Sequence, residues 1–228
     1  MLSTDSGPLR RVLRDAWWVW LLLGVAVVLF GAGLDVRLRC RLHDGCHWWT
    51  RDRFFDLDSL GGLPRLFITG LFVAVAVLAW RARRRSVGRS AAWWTAVSAI
   101  GAALAVLKVV SAHSTAKASA GALTLVVGVL LSVVVLAVLL RTARRWDVPA
   151  GPWVVVALAA YAFAALGLDA VTGAVGTIPG TTGVVADAVA AFVEEFGEAL
   201  GALFVLAMVW RRLPSRQRVP ARVSCTGS

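Results

Sequence analysis

Glu194, Glu195 and Glu198 stand inside the last of six long apolar stretches, in the run VEEFGEALGALFVLA. An ionised side chain at the centre of a bilayer costs roughly 3 kcal/mol even on the mildest scale, so such groups face a bundle interior or a wet cavity. There they pair with one another, relay protons or hold a substrate. Glu194 and Glu198 are four residues apart and Glu195 and Glu198 three apart, so the three form a wedge on one helix face. Gly197 and Gly201 beside them make a small-xxx-small step, which lets a neighbouring helix come close.

Other ionisable residues reach the same depth. A helix rises ~1.5 Å per residue, which puts Glu198 roughly 18 Å from Trp210. On the same basis Lys108 lies about 22 Å from Trp93, and Asp169 about 24 Å from Trp153. Lys108, Asp169, Glu194, Glu195 and Glu198 therefore share one slab in the outer half of the membrane, with His113 at its rim. Ser98, Ser111, Tyr161 and Thr172 are candidate polar company.

Three kinds of chemistry suit this set. A small transporter or binding protein would use an outward-facing cavity centred on Glu198, with Lys108 as internal counter-charge. Glu194, Glu195, Asp169 and His113 would line its mouth. A small cation, a proton or a lipid-like ligand is then the cargo, and protonation of a glutamate would release it or free Lys108. An intramembrane enzyme acting on a lipid or isoprenoid would use Glu198 as general acid/base and His113 as its partner. A non-catalytic assembly protein would use the same charges only to fix helix register.

The elements that must position these groups are membrane spans. Of the 228 residues, 59% are hydrophobic and the mean hydropathy is +0.75. The apolar residues come in blocks long enough to cross a ~30 Å hydrocarbon core. We read them at about 16–34, 64–81, 91–112, 120–141, 152–174 and 184–210. The fold expected is all-α: a six-transmembrane-helix bundle at 16–210, with an outer loop at 35–63 and polar tails at 1–15 and 211–228. The first span is too long for a signal-peptide core and is read as uncleaved.

The net charge of +11 is unevenly placed. Arginines crowd before segment 1, between segments 2 and 3, between 4 and 5, and after 6, so the positive-inside rule puts both termini in the cytoplasm of a cell-membrane protein. Anionic lipid at that basic side, rather than nucleic acid, is the expected electrostatic partner. Trp17, Trp18, Trp20, Trp80, Trp93, Trp94, Trp146, Trp153 and Trp210 fall near the same ends and read as an interfacial belt.

Between the spans, HSTAKAS (113–119) and TGAVGTIPGTTG (172–183) read as loops, the second flexible and outward. In the outer loop, Cys40 and Cys46 read as a local disulfide. The order Cys40, His43, Cys46, His47 is the alternative, a tight zinc site. Cys225 in the tail reads as a free cytosolic thiol. The chain lacks a Walker loop, a G-x-S-x-G elbow, an H-E-x-x-H pair and a dinucleotide fingerprint, so no cofactor is expected.

FFDLDSLGGLP (54–64) and VEEFGEALGALFVLA (193–207) resemble motifs of a loose group of uncharacterised bacterial multi-pass membrane proteins. Phe55, Asp56, Leu57, Asp58, Gly61, Leu63 and Pro64 match the loop motif, with Gly62 where asparagine is common. Glu194, Glu195, Glu198 and Gly201 match the last span. The middle span departs: His113 matches, but Leu107 and Lys108 stand where the group has acids, and Ser114 replaces the acid that follows. The resemblance implies a membrane bundle and no particular activity. The departure argues against a metal, because Lys108 would repel one and neutralise a glutamate instead.

Overall fold

The computed structural model describes residues 17–42, 52–55, 61–110, 112–175 and 179–211, and these are helices and short turns with no strand among them. The helices are α1 (Trp17–Leu42), α2 (Asp52–Phe55), α3 (Leu63–Arg84), α4 (Arg89–Val110), α5 (Ala112–Arg145), α6 (Gly151–Phe163), α7 (Asp169–Val175) and α8 (Gly180–Trp210). One turn of π-helix, Ala164–Leu168, joins α6 to α7. Among the described residues, five helical stretches are long and apolar enough to cross a membrane: Trp17–Cys40, Leu63–Arg84, Arg89–Val110, Leu125–Arg145 and Gly151–Val175. The 31-residue α8 is equally long, but it carries Asp187, Glu194, Glu195 and Glu198 along its length.

The helix starts and stops follow local chemistry. Proline occupies the first turn of both α3 and α6, where its missing N–H costs nothing. Arg81, Arg83 and Arg84 close α3, matching the negative end of its dipole. Three boundaries differ from the sequence reading. α1 runs on to Leu42, through residues expected to open the outer loop. Asp35 and Arg39 pair four residues apart there, so the polar stretch continues the helix instead of ending it. The HSTAKAS stretch is helical within α5, as its alanines and lysine favour. α7 reaches Val175 and α8 begins at Gly180, so residues on both sides of the expected long loop before the last span are helical.

Contacts at successive levels give the packing. Trp18 meets Trp210 edge to face at 5.4 Å, Phe30 meets Phe196 at 5.9 Å, and Arg37 pairs with Asp187 at 3.2 Å. Ascending numbers in α1 meet descending numbers in α8, so the two run antiparallel. α3 and α4 form a hairpin in which Ser98 Oγ donates to the Ala76 carbonyl at 2.9 Å. At the same crossing a Cβ on Gly101 would lie 3.1 Å from the Ala76 nitrogen, so a larger residue would crowd main chain and glycine eases this spacing.

α8 is the central helix and touches α1, α3, α6, the π turn and α7. Val205 and Val209 on it, Phe72 and Val75 on α3 and Val154 on α6 are all fully buried. α5 lies at the other extreme. Leu123, Val126, Leu130, Leu131, Val134 and Val138 on it are exposed, an apolar surface suited to face lipid.

The tryptophans divide. Trp17, Trp20, Trp80, Trp153 and Trp210 are exposed, as a belt requires. Trp93 and Trp94 are not part of it. They are buried edge to face at 4.9 Å, and Trp93 Nε1 donates to the Leu139 carbonyl at 3.1 Å. The neighbouring α5 covers them, so nearness to a helix end did not mean exposure.

Candidate functional site

α4 delivers Lys108 two residues before its end at Val110. α8 delivers Glu195 and Glu198 on adjacent turns of one face. The Lys108 ammonium contacts the Glu198 carboxylate directly and lies 3.6 Å from Glu195 Oε2. The three side chains are 12%, 4% and 10% exposed in the order Lys108, Glu198, Glu195. Among the described residues the α4 and α8 backbones do not pack against each other. The long lysine side chain spans the gap, and the ion pair links these two helices.

Tyr161 of α6 completes the set. Its Oη donates to Glu198 Oε2 at 3.4 Å, long for an O–H···O bond. Its ring stands edge-on to Phe72 of α3, with centroids 4.6 Å apart, so the hydroxyl is held in place from the far side. Gly201 explains why the tyrosine comes so near. A Cβ there would lie 2.8 Å from Tyr161 Cα and 3.0 Å from its Cβ. One turn away, a Cβ on Gly197 would lie 3.0 Å from Leu168 Cδ1. The small-xxx-small step thus seats α6 and its π turn against the acidic face of α8.

Beside this cluster lies a cavity of about 310 Å3 between α4, α5 and α6. It exists because α4 and α6 do not touch among the described residues, while α5 packs on both. Leu104, Leu136, Leu139, Leu158 and Leu166 supply much of the wall. The polar side chains lining it are Lys108 and Tyr161 at the cluster and Ser132 on α5. Leu107 and Leu131 line the cavity and are also exposed on the bundle flank, so it opens sideways. Among the described residues no group of three His, Cys, Asp or Glu side chains is placed to hold a metal ion.

Lys108, Glu195 and Glu198, expected at one depth, lie together, and Tyr161 joins them. Glu194 is half-buried on the same turn of α8. Asp169 opens α7 and His113 lies in the first turn of α5, but their side chains, like Ser111 as a whole, fall outside the described residues. Ser98 belongs to the α3–α4 hairpin instead, and Thr172 donates to the Leu168 carbonyl of the preceding π turn. Cys40 lies near the end of α1, whereas His43, Cys46, His47 and Cys225 lie outside the described residues.

Two features escaped the sequence. Arg65, on the first turn of α3, stands close enough for its charge to act on Lys108. Its position directly after Pro64 was the available signal, since it starts a span at the depth of the acids. The Arg37–Asp187 pair was hidden because Arg37 sits in a stretch that reads as loop.

Compared with known proteins, the chain matches no family model, no curated protein and no solved structure.

Proposed function

We propose that this protein is a six-span membrane protein with both termini cytoplasmic that binds an amphipathic, lipid-like molecule from within the bilayer. The apolar part of the ligand fills the cavity between α4, α5 and α6, and its polar end meets Lys108 and Tyr161. The observation that carries this reading is the division of the cavity: apolar walls, a side opening at Leu107 and Leu131, and a polar end at the buried cluster. Its volume falls at the lower edge of ordinary small-molecule sites, roughly 300–1,000 Å3, which are likewise mostly apolar with a few placed polar groups.

Cation transport fits this geometry less well. A small cation would have to displace Lys108 from both Glu195 and Glu198, and the ammonium is already held there in low dielectric. Binding of an amphipath needs no such exchange. The arginine-rich helix ends suit a different lipid contact. Arg83 stacks over Trp80 at 4.2 Å, a pairing fit for an anionic headgroup layer.

Native mass spectrometry of the full chain extracted in mild detergent tests the reading. The wild-type protein should carry a bound lipid-like mass. Ala103→Trp and Ser132→Phe, which fill the cavity from two helices, should lose it while keeping their helical signal. Retention of that mass by both folded variants would overturn the proposal.

A further inference from the structure

The inner end of the cavity offers a specific pattern of hydrogen-bonding groups. A tyrosine hydroxyl has one proton to give and lone pairs to receive. Tyr161, which lines the cavity, directs its proton at Glu198, and its oxygen keeps lone pairs with which to accept. An ammonium has three protons. Lys108 turns toward Glu198 and Glu195 and also lines the cavity, and its three protons exceed those two carboxylates by one. The ligand therefore meets one donor and one acceptor side by side. A hydroxyl group answers both, accepting from Lys108 and donating to Tyr161.

Charge sharpens the choice. Lys108 is already shared by two carboxylates, so an anionic headgroup reaching it would come up against Glu195 and Glu198 with little water to screen them. A cationic headgroup would face Lys108 itself, with Arg65 within electrostatic range. A neutral headgroup adds no uncompensated charge to a buried site. Ser132, on the α5 wall, is a further neutral polar group and suits the same kind of ligand.

We infer that the cavity selects an uncharged long-chain alcohol, a lipid whose polar end is a hydroxyl bound between Lys108 and Tyr161. This rests on the proposed lipid-like ligand and narrows its chemistry. The test uses the full chain in nanodiscs and three photoreactive probes with one dodecyl diazirine chain: an alcohol, a phosphate and an amine. Labelled peptides are mapped by mass spectrometry. The alcohol should label the α5 and α6 cavity walls at least about tenfold more than either charged probe, the ratio that 1.4 kcal/mol of preference gives. Tyr161→Phe, which keeps the ring and removes the acceptor, should lower alcohol labelling and leave charged-probe labelling as it was.

Equal labelling of the walls by all three probes, or strongest labelling by the phosphate or amine, would overturn the alcohol inference and leave the lipid-like ligand standing. Absence of cavity labelling by any probe would overturn both. An unaltered alcohol preference in folded Tyr161→Phe would also overturn the proposed hydroxyl contact.

Discussion

Lys108 with its glutamates and Arg39 with Asp35 are the same chemistry in two settings. Arg39 and Asp35 sit one turn apart on a single helix, 2.9 Å from each other, and are 74% and 56% exposed. Water solvates both if the pair opens. Lys108 and Glu198 come from different helices and are almost closed off. If that pair opens, each charge is stranded in a dry interior, where an uncompensated ion is far costlier than in water. Arg37 with Asp187 falls between, at 12% and 20% exposure. The value of an ion pair in this protein is thus set by what surrounds it and by how many helices it joins.

The contrast can be broken at several points. Lys108→Met should have the largest effect, because it leaves Glu195 and Glu198 buried without their ammonium. We expect a loss of about 3–5 kcal/mol, read as a fall in unfolding midpoint in detergent; a variant as stable as wild type would remove the distinction between the two settings. Gly201→Val tests the backbone approach that brings Tyr161 to Glu198. The added side chain meets main chain, so a loss of about 1–3 kcal/mol is expected, with weaker lipid binding, and full stability would mean α6 does not pack as described. Arg37→Ala should cost about 1 kcal/mol. Arg39→Ala should stay within about 0.5 kcal/mol. A reversed order for these last two would mean that burial does not rank the pairs.

The sequence made depth legible but not neighbourhood. Position along a straight helix converts directly to height, which is why Lys108 and Glu198 could be put at one level from spacing alone. Whether two side chains at one level meet depends on helix rotation and order, which no spacing records. Arg65 shows the consequence: its height was readable, its approach to Lys108 was not. The cavity was also out of reach, since it is a gap left where α4 and α6 fail to meet. Hydropathy misled at the ends of spans. The charges from Asp35 to Arg39 read as the start of a loop, yet at a four-residue spacing they sustain α1. Trp93 read as interfacial, yet α5 covers it and accepts its N–H.

The most direct measurement is a double-mutant cycle on Lys108 and Glu198, with unfolding of wild type, Lys108→Met, Glu198→Gln and the double variant followed under one set of conditions. The geometry predicts that the double variant is more stable than the sum of the single losses allows, and more stable than Lys108→Met alone, because the second change removes a charge the first one strands. Losses that simply add would show that Lys108 and Glu198 do not share a buried site.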